Sequence, residues 1–211
     1  MTKVYPNAGG SEARRAAWEG AGEKEAAKEE VLIVWKKSLL FNCSGFTVFD
    51  KKGNLVFRVD NYAAGNKGEV VLMDAAGKSL LTIRRKRLSL GDHWLVFAGE
   101  ECVNPLFSVK KPVNFLNSKS LAQVTAGGGR SGRRAEPVYA IEGSYSQRSC
   151  VVYDVEKRRP VAEVRRKEAV GGVAFGLDVF RLVVQPELDA TVAMALVILL
   201  EQMFGSRRAS P

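Results

Sequence analysis

The chain has 211 residues, 46% of them hydrophobic and 26% charged, with a formal net charge of +9. That length suits one domain with tails, and that apolar share supports a buried core. The three cysteines, Cys43, Cys102 and Cys150, lack CxxC spacing, which argues against a disulfide framework and against a cysteine zinc site.

The chain starts MTKVYPNAGGSEARR, without the apolar stretch of a secretory signal and without Gly at position 2 for myristoylation. The expected compartment is therefore cytoplasmic or nuclear, with any membrane contact peripheral. Asn42-Cys43-Ser44 matches the glycosylation pattern by chance on this reading. Residues 1–30 are rich in Ala, Glu, Lys and Gly, with Trp18 the one large apolar side chain after Tyr5. Such a segment buries too little surface to offset its ordering entropy, so it is expected to be a flexible extension. It carries five Lys/Arg and six Asp/Glu, which leaves 27 and 17 for residues 31–211. The folded part is the basic part, and it favours anionic partners.

From Val31 the chain reads as strands and turns. Val31–Trp35 begins the series. Phe46–Asp50, a Lys-Lys-Gly-Asn turn and Leu55–Val59 form a hairpin; Glu69–Asp74, Ala-Ala-Gly and Ser79–Lys86 repeat it. Ser149–Asp154, a longer turn and Val161–Lys167 make a third, diverged copy. Asp opens each turn because its carboxylate accepts backbone N–H groups, and Gly53 and Gly77 supply positive φ; Lys157 stands in the third copy. Further strands are expected at His93–Ala98, Leu106–Lys110, Val138–Gly143 and Phe175–Val184, about a dozen in all. Thr125–Pro137, with its glycines and arginines, reads as a mobile surface loop.

One strong helix closes the chain. Asp189 can cap it and Gly205 sits where a C′ glycine belongs. Ala190–Leu200 holds no charge, and its large apolar residues fall on every face. A helix apolar all round lies in protein or in lipid. The run is short for a membrane span, which needs about 20 apolar residues, and it meets Glu201 and Gln202. The expected fold is mainly β: a closed antiparallel barrel wrapped around this helix, which also removes exposed strand edges. The organisation is then residues 1–30 as extension, 31–205 as barrel domain with a mobile loop over 125–136 and a central helix over 188–204, and 206–211 as tail.

The stretches VLIVWKKSLLFNCSGFTVFDKKGNLVFRVDNY and VVLMDAAGKSLLTIRRK, with the closing LDATVAMALVILLEQM, resemble the plant LURP-one-related family over about residues 28–205. The resemblance implies the fold of tubby C-terminal domains and phospholipid scramblases, a barrel of about twelve strands around a C-terminal helix. It also implies a link to pathogen defence. By analogy with tubby domains it implies phosphoinositide binding and membrane-tethered transcriptional regulation.

The residues themselves offer one candidate site. Arg84-Arg85-Lys86 and Arg165-Arg166-Lys167 end two returning strands. Alternation buries Leu81 and Ile83 and turns Thr82, Arg84 and Lys86 outward, as it does Arg165 and Lys167. Arg84, Arg85, Lys86, Arg165 and Lys167 would form one anionic-headgroup patch if their hairpins are neighbours. The plainer reading is charged strand edges that prevent pairing with other chains.

No catalytic residues, metal site or cofactor are identified. His93, the one histidine, has no evident Ser or Cys partner. GGVAFG (Gly171–Gly176) lacks the GK[ST] ending of a phosphate loop. Nucleic acid is disfavoured because the aromatics fall at core positions. Ser210, after Arg207-Arg208, resembles a basophilic kinase target. The sequence thus points to a non-enzymatic module that binds acidic phospholipid headgroups. A protein-interaction scaffold is the alternative, and an enzyme with a pocket in the barrel a third.

Overall fold

The protein is described by a computed structural model. It describes residues 28–40, 44–61, 68–87, 89, 91–101, 103–112, 120–127, 136–168 and 175–205. The N-terminal extension to residue 27, loop residues 128–135, Gly171–Ala174, Cys43, Cys102 and the tail with Ser210 lie outside them.

Twelve strands close into one antiparallel barrel. They are β1 (Glu30–Trp35), β2 (Ser44–Phe49), β3 (Leu55–Asn61), β4 (Glu69–Asp74), β5 (Ser79–Arg85), β6 (His93–Ala98), β7 (Phe107–Lys110), β8 (Ser120–Ala126), β9 (Tyr139–Ser144), β10 (Ser149–Asp154), β11 (Arg159–Arg166) and β12 (Val179–Val184). Each strand pairs with its neighbours in sequence, and β1 pairs with β12 to close the ring. Alternate residues point inward, as the two-residue period of a strand requires. The inward set runs Leu32 and Val34, Phe46 and Val48, Phe57 and Val59, and so on around the ring to Phe180 and Leu182.

The space they enclose is filled by α1 (Ala190–Phe204). Val192 to Leu200 are all buried, on every face of the helix, and they join the inward strand residues in one core. This is the enclosed helix the sequence predicts. Asp189 caps its first turn: its carboxylate accepts from the N–H groups of Thr191 at 2.8 Å and Val192 at 3.3 Å. Gly205 departs from expectation. Its φ of −61° is not left-handed. Glycine is needed there because a Cβ would come within 2.2 Å of Glu201 Oε1 and 2.4 Å of Glu201 O.

The first two hairpin turns are as read: Gly53 and Gly77 have φ of +87° and +89°. The third differs. Asp154 pairs with Arg159, so its loop is one residue longer than those of the other copies. The left-handed position moves from Lys157 to Arg158, with φ of +52°. Arg158 is exposed, so Arg158→Gly is expected to raise stability by about 0.5 kcal/mol, the left-handed cost removed less the entropy glycine adds. Urea melting would check it; a loss of stability would mean that the arginine side chain contributes more than its backbone costs.

One strand was missed in sequence. β8 lies where the chain reads as polar, and Thr125 and Ala126 belong to it rather than to the mobile loop. A register shift between Ser120 and Ala122 breaks the alternation at Leu121, which hides the strand pattern. The last expected strand is shorter than Phe175–Val184, beginning at Val179.

Because every pairing is antiparallel, the barrel has two distinct rims. Short turns and the N-terminus of α1 occupy one, the turn rim. The other, the helix-end rim, gathers the ends of β1, β5, β9 and β11 and the C-terminus of α1.

Candidate functional site

Arg84–Lys86 and Arg165–Lys167 both lie at the helix-end rim, but β5 and β11 are six places apart in the twelve-strand ring. They stand on opposite sides of the barrel, so the condition for one shared patch is not met.

Both arginines of the β5 end are paired with carboxylates. Arg84 Nε donates to Glu69 Oε2 at 2.6 Å, and its guanidinium lies over the Phe97 ring. Arg85 Nη2 donates to Asp92 Oδ1 at 3.1 Å, while the other Asp92 oxygen holds Lys111 Nζ at 2.7 Å. Lys86 is exposed. Thr82 shares the outward phase as expected but is buried, its hydroxyl donating to Gly99 O at 2.5 Å.

The β11 end is built differently. Its centre is Arg148, in the β9–β10 turn, which sequence reasoning did not single out. Its guanidinium lies 4.3 Å from the Tyr145 ring centroid and 4.4 Å from that of Phe180. Such stacking suits a planar cation. Nε donates to Leu177 O at 2.8 Å, and Nη2 is 3.7 Å from Glu201 Oε2. Arg148 is only 5% exposed and has φ of +53°. A non-glycine residue held there costs about 1–3 kcal/mol and persists only where surrounding contacts dictate it. Its Nη1 has no hydrogen-bond partner among the described residues, nor has the Tyr145 hydroxyl. Burial pushes the Tyr145 phenol well above its ordinary value, so it stays neutral. Lys36 completes the group, its Nζ 2.7 Å from Glu201 Oε1.

Two cavities meet at Arg148. One, of about 600 Å³, is bounded by Lys36, Tyr145, Leu177, Asp178, Glu201 and Phe204. The other is a shallower depression of about 440 Å³ lined by Gln147, Arg148, Ser149, Val164, Arg165 and Arg166. Arg166 faces Phe180 in the ladder and so shares the inward phase, leaning over the mouth of the barrel. Its Nε donates to Gln147 O at 2.9 Å. Arg165 Nη2 is paired with Glu163 Oε2 at 2.5 Å. Lys167 lies 4.1 Å from the Phe175 ring centroid. Of the expected residues, then, the fold gathers Arg165 with Arg148 and Arg166, and separates Arg84, Arg85 and Lys86 from them.

This barrel and its rim have relatives. A family model described as LURP-one-related matches residues 30–201. The chain belongs to the LURP-one-related family. It is 50% identical to Protein LURP-one-related 8 of Arabidopsis thaliana, over 98% of this chain and 100% of that one. It is 44% identical to Protein LURP-one-related 5 of the same plant, over 84% of this chain and 85% of the other. A crystal structure of an Arabidopsis thaliana protein matches with a TM-score of 0.59 and 28% identity, covering 82% of this chain and 91% of its own.

Other chemistry in this LURP-one-related chain has little support from geometry. His93 begins β6 opposite Lys110, and burial, then Lys86 and Lys110, lower its pKa. No thiol or carboxylate is hydrogen-bonded to it among the described residues. Burial pushes the Cys150 thiol up to about 11, which disfavours the nucleophilic thiolate. No group of three or more metal-ligating side chains occurs among the described residues. Among the described residues no helix is long and apolar enough to cross a membrane.

Proposed function

We propose that this protein is a non-enzymatic module whose helix-end rim docks on acidic lipid surfaces. The observation that carries the reading is the company of apolar and basic side chains on one sector of that rim. Trp35, Leu39 and Leu177 are 43%, 53% and 48% exposed, although large apolar side chains usually find cover. They lie on β1 and on the loops beside it; Lys36 N donates to Asp178 O at 2.7 Å, which ties the two loops together. Around them stand Lys36, Lys37, Arg165, Arg166 and Lys167. Apolar side chains that enter the headgroup layer, ringed by cations that meet its negative charge, are the features of a peripheral membrane contact.

Net charge alone selects neither rim, because Lys51, Lys52, Lys78, Lys157 and Arg158 are exposed on the turn rim. Glu168 and Asp178 are also exposed in the helix-end sector. What favours this side is the size of its exposed apolar side chains, Trp35, Leu39 and Leu177, against Val103 and Val155 on the turn rim. A tubby-like regulator in plant defence signalling is the wider context of the reading, and its first requirement is that the barrel reaches a membrane.

Vesicle co-sedimentation tests it. Leu39→Ser with Leu177→Ser is expected to weaken binding to phosphatidylserine-containing vesicles about thirtyfold or more, each lost apolar contact removing about 1 kcal/mol or more. Val103→Ser with Val155→Ser, on the turn rim, is the control. Equal losses would sink the rim assignment. No binding by the parent chain would move the protein-scaffold alternative to first place.

A further inference from the structure

We propose that the depression between Arg148, Arg165 and Arg166 seats a phosphate monoester. The inference deepens the lipid reading and rests on it only for the source of the phosphate.

Three arginines, Arg148, Arg165 and Arg166, line one open depression of about 440 Å³. Each brings something different. Arg166 is exposed and makes no ion pair among the described residues; its Nε is held by Gln147 O, which orients the remaining N–H groups. Arg165 is exposed, with a side chain 61% accessible, and its pairing uses only Nη2. Arg148 stands behind them, buried, with Nη1 unpartnered. A buried cation acts through a less polar medium than a surface one, so its field at the depression is screened less. Its nearest carboxylate, Glu201, is shared with Lys36, which sits at the shorter distance. The arrangement therefore offers planar N–H forks, which suit a tetrahedral dianion with several acceptor oxygens. Two carboxylates are paired with the set, Glu201 with Arg148 and Glu163 with Arg165, and an incoming dianion would compete with Glu163 for Arg165.

In the β5 run both arginines are paired with carboxylates, whereas Arg166 makes no ion pair among the described residues. Arg84 is engaged by Glu69, and Arg85 shares Asp92 with Lys111. The two basic ends are similar in sequence, yet a ligand should tell them apart.

The experiment titrates the full chain with inositol trisphosphate and with inorganic phosphate, following arginine side-chain N–H signals by NMR and heat by calorimetry. Arg165→Gln with Arg166→Gln is expected to weaken trisphosphate binding roughly tenfold or more, the scale of two charge-assisted hydrogen bonds. Arg84→Gln with Arg85→Gln is expected to change it less than about twofold, the scale of screened surface charge. Arg148→Lys, which keeps the charge and loses the fork, is expected to fall between them. Thermal melts of each variant separate folding from binding. Equal losses at both clusters would overturn the seat, as would the absence of any shift at Arg148, Arg165 and Arg166. Phosphatidylcholine vesicles with phosphatidylinositol monophosphate form the second arm. If vesicles bind and the soluble probes do not, the seat falls and the surface reading stands. If the soluble probe binds and vesicles do not, the seat stands, with a soluble phosphoryl ligand as its occupant.

Discussion

Leu196→Ala is expected to cost about 2–5 kcal/mol of stability, the range for truncating a large side chain in a core that cannot collapse around the gap. Leu196 sits midway along α1 and is 1% exposed. The surrounding wall is a closed ring of strands, so it can relax inward only by straining its hydrogen-bond ladders. Leu196→Asp goes further, because it places an unpaired charge where no water reaches, and no cooperative unfolding transition should remain. A chain ending at Pro186 loses the whole helix and should not fold, since twelve strands would enclose a void. Urea melts followed by circular dichroism provide the check. A truncated chain that is soluble and melts cooperatively would show that the barrel closes without its filling.

The second large effect is expected at Gly143, just before the turn that carries Tyr145 and Arg148. Its φ is +106°, and a Cβ built there would come within 2.2 Å of Ser149 O across the strand pair. Gly143→Ala therefore meets two penalties, a backbone conformation that L residues rarely adopt and a collision with main chain that cannot swing aside. The combined cost should exceed about 2 kcal/mol. Gly53→Ala makes the comparison, because Gly53 has φ of +87° with nothing within 4 Å. That variant bears only the conformational cost, about 1 kcal/mol. If the two variants lose the same stability, the close approach at Gly143 is relieved easily and contributes nothing. The consequence for function is specific: pushing β10 away from β9 at Gly143 moves Arg148 off the rings of Tyr145 and Phe180, so trisphosphate binding should weaken in the folded fraction of that variant.

The sequence by itself determined the scaffold. Period-two alternation marked eleven of the twelve strands, because each buries one face against the helix and so keeps its apolar residues in phase. A helix with no polar face had to be enclosed or in lipid, and its length favoured enclosure. Asp50 and Asp74, each followed three residues later by glycine, specified two turns through contacts only a few residues long. The strand that escaped, β8, is the one where a bulge breaks the phase at Leu121. The third turn shifted its left-handed residue to Arg158 because one added residue changes which position needs positive φ, and no glycine marks it.

The candidate site was legible only in part. Two RRK runs were visible as charge at strand ends, but whether they meet depends on the ring, which sets β5 and β11 on opposite sides. Arg85 and Arg166 take the inward phase at the rim, where a strand stops being covered by the core; only the closed register shows this. Lys36, the Tyr145–Arg148 turn and Glu201 come from three separate places in the chain, and no motif links them. They meet because α1 ends where the β1 and β9 strands end. Local spacing encodes turns, caps and strand phase, since those depend on neighbours along the chain. The convergence of arginines at one rim depends on barrel closure and helix direction, which only the tertiary structure decides.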